Sequence, residues 1–529
     1  MIQFIPNKNN GFKWHTNNKG IYFKGFFYDA QNKKIEAQSA IDFLSTINTK
    51  QEFEKTCTSL NGMYTIVIIK SDHCYVTSDS TRVFPVFYKK NKDSFLLSDD
   101  INLLITEGEI KYDLVAEREF KSFGCCLGNK TLVKDVYQIQ SSEYIIFSED
   151  RIIKKGFVFS SATSKYENKE YNYLKKTLFS NFKNSFERLI NSLDGKTVVL
   201  PLSGGFDSRL IASFLKYYNY NNVICYTYGK KGNIDMEISK KVANKLNFKW
   251  HFVEYTDELI DGFLETSIFK SYCKSYFHHS SMLFLQEYFA VKYLKENNLI
   301  PENAVFIPGH DGGALAGGYL VKLIPEKIRN NRIIAKDIYR KFFDKKNKTE
   351  KSCLDVISSN LAEFNTNFLE LKPYSVYEDF IFKEISTKVI FNSANVYDFF
   401  GYQYRLPFWD KELLNSFKLL EPKLKINKKI YVDIISDFFK NFDLNFETEM
   451  QPLLLTVKIQ NIKNALKPFL PYVVTKKKLQ KNDWLNAEKM VHDLEESLKQ
   501  NNLKYNDKMR YHNDINKEWY LYYCKNQIE

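Results

Sequence analysis

The chain has 529 residues, 44% of them hydrophobic and 16% aromatic, which suits a folded protein of two or three domains and excludes a disordered one. Its net charge of +13 comes from lysines scattered among 63 acidic residues, with no familiar nucleic-acid module, so a solvated basic surface is expected and no nucleic-acid partner. No run of about 18 apolar residues could span a bilayer, Met1–Asn10 lacks a signal-peptide core, and the eight cysteines show no zinc-ligand spacing; the expectation is a cytoplasmic protein with reduced thiols.

In chain order, residues 1–160 read as β-rich. Short aromatic and β-branched runs alternate with polar turns: Gly20-Ile-Tyr-Phe-Lys-Gly-Phe-Phe-Tyr28, Met63-Tyr-Thr-Ile-Val-Ile-Ile69, His73-Cys-Tyr-Val-Thr77 and Ser94-Phe-Leu-Leu-Ser98. The pattern predicts stacked antiparallel sheets. A composition shift at Ser160-Ser-Ala-Thr-Ser164 marks a boundary, and Tyr171, Leu174, Leu178, Phe182 and Phe186 then predict a helix from Tyr171 to Leu193.

From Lys196 strands and helices alternate. Val198–Leu202 is an apolar run ending in Ser203-Gly-Gly-Phe-Asp-Ser208, and Leu210, Ile211, Phe214 and Leu215 continue at helical spacing. Val223-Ile-Cys-Tyr-Thr-Tyr228, a helix from Asp235 to Leu246 and Trp250-His-Phe-Val-Glu-Tyr255 follow. This alternation predicts an α/β domain, residues 161–450, built on a parallel sheet whose ligands lie beyond the carboxyl ends of the strands. Leu202, Ser203, Tyr228 and Gly229 fall at those ends. Residues 451–529 read as a basic helical extension. Within it, 458–481 carry seven lysines and no acid, either a docking element with a solvated face or a peripheral membrane contact.

The Ser203–Ser208 segment is the most informative. Glycines admit close backbone approach, a helix start offers free N–H groups to an anion, and Asp207 can hold a divalent metal beside a polyphosphate. An ordinary strand-to-helix turn is the plainer alternative. The segment resembles the S-G-G-x-D-S loop of the PP-loop ATP pyrophosphatases, which cleave ATP between the α- and β-phosphates.

Over most of its length the chain resembles the asparagine synthetase family. To the loop are added Pro308-Gly-His-Asp-Gly-Gly-Ala-Leu-Ala-Gly-Gly-Tyr319, similar to that family's glycine-rich loop, and Tyr404-Arg-Leu-Pro-Phe-Trp-Asp410, similar to its R-x-P-F-x-D motif. Lys428 or Lys429 falls where the family has its catalytic lysine. Leu60-Asn61-Gly62, Asp79, Pro85-Val-Phe-Tyr88, Phe95–Ile101 and Thr131–Val136 more weakly resemble the core of the family's glutaminase domain. The resemblance implies an N-terminal Ntn-hydrolase-like β-sandwich ahead of a PP-loop parallel-sheet domain.

Two departures qualify it. Glutamine-hydrolysing members attack with an N-terminal cysteine; here residue 2 is Ile2 and the first cysteine is Cys57. In the glycine-rich loop, His310 and Gly313 replace two acids, and Asp311 is the nearest acid left for a metal. The implied function is an ATP-dependent amide-forming ligase that activates a carboxylate as an acyl-adenylate and transfers it to ammonia or an amine, without glutaminase activity of its own. Expected roles follow. Leu202, Ser203, Gly204, Gly205, Asp207, Ser208, Arg209, Tyr228, Gly229 and Gly309 bind ATP, and Asp207 and Asp311 bind Mg²⁺. Lys428 or Lys429 stabilises developing charge, and His310 either accepts a proton or is an ordinary loop residue. Arg209 pairs with a phosphate or carboxylate, or is a solvated helix residue. A small-molecule, glycan or peptide carboxylate remains open as substrate, and a homo-oligomer as the assembly. The alternative is a non-catalytic nucleotide-binding relative with a regulatory or assembly role.

Overall fold

The computed structural model describes residues 2–7, 11–105, 110–320, 330–342, 350–365, 368–445, 483–503 and 512–526. The basic segment 458–481 lies outside them.

Two β-sheets form the N-terminal part. A seven-stranded antiparallel sheet runs Ile152–Phe157, Glu143–Phe147, Cys74–Ser78, Asn61–Ile69, Ile21–Tyr28, Trp14–Thr16, with Lys34–Glu36 also paired to Ile21–Tyr28. A four-stranded sheet runs Gln3–Ile5, Ser94–Ser98, Phe87–Asn91, Val136–Gln138. Alternation along the strands decides what each face buries. Val67, Val76, Ile145 and Phe147 of the larger sheet meet Phe4, Tyr88, Phe95 and Leu97 of the smaller one. Phe23, Ile66, Ile68 and Ile146 face the opposite way, onto Ile41, Leu44 and Phe53 of the helices Ala37–Leu44 and Lys50–Ser59. Ile2 is buried in the layer between the sheets.

The third sheet is parallel, in the order Lys249–Glu254, Val223–Gly229, Val198–Pro201, Val305–Phe306, Gln403–Tyr404. Its central strand, Val198–Pro201, leads through Ser203–Gly205 into the helix Phe206–Tyr217. The two-residue strands at 305 and 403 gave no sequence signal, because period-two alternation cannot show in two residues. The expected helices are present as Tyr171–Asn191 and Ile234–Leu246.

Side chains of the family-like motif at 404–410 tie the two parts together. Arg405 is buried, bonded to the Ser192 Oγ (3.0 Å) and carbonyl (3.1 Å), with its guanidinium 4.4 Å from the Phe26 ring centroid. Asp410 accepts both arms of Arg188 (2.7 and 2.8 Å) and the Asn61 amide (2.9 Å). Nearby, a buried π-helical stretch, Ile381–Ile390, carries the Lys388–Glu384 pair; Lys388 donates to the carbonyl of Gly128 (2.6 Å) while Glu384 accepts the Gly128 N–H (3.0 Å).

Candidate active site

A cavity of about 290 Å³ opens at the carboxyl ends of the parallel strands. Segments distant in sequence line it: Leu202, Ser203, Gly205, Asp207 and Ser208; Tyr226 and Tyr228; Gln286 and Glu287; Gly309 and His310; Lys428; Trp484.

The loop is held from within. The Ser208 hydroxyl receives the Ser203 N–H (3.1 Å) and lies 3.1 Å from the Ser203 hydroxyl, which receives the Gly205 N–H (3.1 Å). Gly204 donates its N–H to Asp235 Oδ1 (2.8 Å), on the first turn of the next helix. Two glycines are demanded by close approach: a Cβ on Gly204 would stand 2.9 Å from Asp235 Oδ1, and one on Gly309 2.9 Å from the Ser208 backbone nitrogen. The helix begins at Phe206 with no side-chain cap, so its first N–H groups stay open at the cavity, and Asp207 lies in its first turn.

Asp207 is fixed on both oxygens, Oδ2 by the Gly313 N–H (2.7 Å) and Oδ1 by the Tyr431 hydroxyl (2.8 Å). Burial raises its carboxyl above the usual range, opposed by the neighbouring Lys428 ammonium. Lys428 reaches this point from a strained turn: Asn427 and Lys428 both have positive φ (55° and 58°) just before the helix Lys429–Phe439. The position of Gly313 explains the missing acid there. A Cβ at 313 would lie 2.9 Å from Lys428 Nζ, so the ammonium fills the space a side chain would take.

Several expected residues lie elsewhere. Lys429 is exposed, its ammonium 5.6 Å from the Tyr171 ring centroid, because the helix turns it away from Lys428. Arg209 is not solvated, and it lies outside the cavity lining. It is buried, donates to the carbonyls of Gly204 (2.5 Å) and Leu444 (3.1 Å) and sits over Phe206 and Phe439, so it braces the loop from behind. Gly229 abuts Trp484, whose carbonyl accepts the Lys230 N–H (2.6 Å), so the strand end is covered there. Asp311 is outside the cavity lining; its Oδ1 accepts the Tyr319 hydroxyl (3.2 Å), and burial pushes its carboxyl up to about 7.

His310 lines the cavity with Nε2 3.4 Å from Ser393 Oγ and Nδ1 without a partner among the described residues. Burial lowers its pKa to about 4. Burial thus favours the neutral form of the ring. His278 and His279 are buried and packed, His279 Nδ1 lying 3.3 Å from Cys524 Sγ.

For a divalent cation the donor set is sparse: among the described residues no group of three His, Cys, Asp or Glu side chains could hold a metal. One carboxylate completed by phosphate oxygens and water nevertheless suits Mg²⁺, and Asp207 in the cavity wall fits that role. The buried Asp311 Oδ2, with no hydrogen-bond partner among the described residues, is a second oxygen of the right kind.

Sequence reasoning missed Asp235, Gln286, Glu287, Tyr431 and Trp484. Asp235 could have been found as an acid at a helix start beside a strand end; the others carry no local pattern and are placed only by tertiary packing.

No helix among the described residues is long and apolar enough to cross a membrane. No curated protein matches the sequence. Among solved structures, the NH3-dependent NAD synthetase from Campylobacter jejuni is 16% identical, covering 38% of this chain and 96% of that one, with a TM-score of 0.20. The U34-tRNA thiolase from Methanococcus maripaludis is 15% identical over 54% and 84% (TM-score 0.19), and the glutamine phosphoribosylpyrophosphate amidotransferase from B. subtilis 10% identical over 48% and 74% (TM-score 0.19). Scores this low carry no argument about this chain. Residues 193–512, more than half of the chain, match the family model for asparagine synthase. The chain therefore belongs to the asparagine synthase family, a family of ATP-dependent amide-forming ligases.

Proposed function

We propose that the protein activates a carboxylate with ATP, releasing pyrophosphate, and passes the acyl group from AMP to ammonia or an amine. The observation that carries this reading is the convergence of the Ser203–Ser208 loop, Asp207 and Lys428 on one cavity with the Tyr228 strand end. The free N–H groups of the Phe206–Tyr217 helix start would hold the phosphates. Adenine would lie towards Tyr228 and Trp484, whose ring centroids are 6.4 Å apart with planes inclined by 29°. Lys428 would offset the negative charge that builds on the α-phosphate during attack by the carboxylate oxygen. Mg²⁺ would be held by Asp207, and by Asp311 where the loop allows, to neutralise the departing pyrophosphate.

Glutamine is not the nitrogen source in this reading. Ile2 packs between the sheets, and all eight cysteines are buried, so no thiol is exposed to attack an amide. The N-terminal part serves as a support, bonded to the catalytic half through Asn61–Asp410 and Gly128–Glu384. The substrate acid is a small molecule, a glycan uronate or a peptide carboxylate.

Calorimetric titration with Mg²⁺ and α,β-methylene-ATP tests the site. Saturable one-to-one binding is expected, abolished or strongly weakened in Asp207→Ala. Wild-type protein that does not bind the analogue, or an Asp207→Ala variant that binds it unchanged, refutes the assignment.

A further inference from the structure

The cavity holds a second charged group that the phosphate end leaves unused. Glu287 immediately precedes the helix Tyr288–Glu296 and lines the same cavity as Asp207 and Lys428. Three phenols donate to its carboxylate: Tyr226 to Oε2 at 3.0 Å, Tyr397 also to Oε2, and Tyr228 to Oε1 at 3.4 Å. The Gln286 amide donates to the Tyr228 oxygen (3.2 Å) and so fixes that phenol. Among the described residues no lysine, arginine or histidine pairs with Glu287, whose carboxylate is hydrogen-bonded by tyrosines.

The half-buried carboxylate has lost part of its hydration, and neutral hydrogen-bond donors satisfy its lone pairs without cancelling its charge. The groups around it favour a cation over an anion. Tyr226 and Tyr228 line the cavity beside it, their hydroxyls turned to the carboxylate, and Tyr255 stacks behind Tyr228 at 5.4 Å. The phosphate end has the opposite character, with helix N–H groups and Lys428. The cavity thus has an anion-binding end and a cation-binding end.

We infer that Glu287, with Tyr226, Tyr228 and Tyr397, is the binding site for the nitrogen donor in its ammonium form, ammonia or a primary amine. This rests on the ligase reading and deepens it. The cation docks against the carboxylate and gives it one proton. The neutral nitrogen then uses its lone pair to form the C–N bond. The C–O bond to AMP breaks, its electron pair leaving on the phosphate oxygen, and the nitrogen's surplus proton passes to water.

The test uses the full-length protein with methylammonium chloride as probe, followed by tryptophan fluorescence. Potassium chloride controls for ionic strength and acetamide for shape without charge. Titrations run with and without α,β-methylene-ATP. Methylammonium alone should give a saturable change. Glu287→Gln, which keeps the shape but removes the charge, should weaken it by about tenfold or more, a difference of about 1.4 kcal/mol. The affinity for the ATP analogue should change less than that for methylammonium. Tyr397→Phe, which retains the charge, should bind methylammonium more tightly than Glu287→Gln does. A methylammonium response identical to that of potassium chloride overturns the proposal, as does undiminished binding in Glu287→Gln. If Glu287→Gln loses the ATP analogue instead, the residue recognises the nucleotide and the inference is wrong. If the wild type fails to bind the analogue but binds methylammonium, the ligase reading falls while the cation site stands.

Discussion

Gly313→Ala isolates the contribution of Lys428 without touching the lysine. The new Cβ would stand 2.9 Å from Nζ, 3.3 Å from Cε and 3.5 Å from Asp207 Oδ2, where ordinary contacts are 3.4–4 Å. The ammonium must therefore retreat by roughly 0.5–1 Å, or swing out of the cavity, for van der Waals contact to be restored. Gly313 does not have a positive φ, so the backbone accepts alanine, and its N–H bond to Asp207 can persist. Replacing glycine at such a position adds about 0.4–1 kcal/mol of stability through the unfolded chain, which offsets the cost of moving a flexible lysine end. Binding should suffer instead. A hydrogen bond to a charged phosphate is worth about 1.5–3 kcal/mol, so losing it weakens ATP by roughly 10- to 100-fold. Calorimetry with α,β-methylene-ATP reads the affinity and urea unfolding reads the stability. A variant that binds the analogue as tightly as wild type would refute the placement of Lys428 at the phosphates; so would weakened binding explained wholly by unfolding.

Further expectations follow from the same geometry. Lys428→Gly relieves a left-handed residue and should gain about 1 kcal/mol in urea unfolding while losing turnover by about 100-fold or more, whereas Lys429→Ala should leave turnover intact; the reverse pattern would reassign the lysine. Burial holds His279 near 4 in the folded chain against 6.5 unfolded, so the unfolded state takes up its proton first, and stability present above pH 6.5 is lost as pH falls towards 4. His279→Asn should therefore narrow its stability gap to wild type by on the order of 3 kcal/mol over that window; parallel pH curves would contradict this. Asp410→Ala removes two charge-assisted bonds of the buried Arg188 guanidinium and leaves it Glu412 (2.8 Å), which should cost about 1.5–3 kcal/mol in unfolding free energy, with analogue affinity retained in the folded fraction. Imidazole NMR should find His310 neutral at pH 6; a midpoint above that pH would restore it as a base.

The sequence was legible where chemistry is local. Ser203–Ser208 announced a strand, a tight turn and a helix start within a dozen residues, and each is present where the residues required it. Hydrophobic periodicity likewise specified the helix beginning at Tyr171 and the strand ending at Gly229. What could not be read was tertiary. Whether Lys428 or Lys429 enters the cavity depends on two consecutive left-handed residues, which no periodicity reveals. Arg209 sits beside the loop in sequence, yet it packs behind it because its guanidinium finds carbonyls at Gly204 and Leu444. Glu287 and Trp484 come to the cavity from segments with no motif, and the role of Gly313 emerged only when the space beside it was found filled by an ammonium.

Cleavage of ATP between its α- and β-phosphates to activate a carboxylate is the reaction proposed for this cavity. The direct measurement incubates the full-length protein with ATP labelled at the α-phosphorus, Mg²⁺, ammonium and a panel of acids comprising aspartate, hexuronates and peptide carboxylates. Labelled AMP and pyrophosphate are expected in equal amounts, dependent on one class of acid and abolished in Asp207→Ala. Labelled ADP with inorganic phosphate would contradict it.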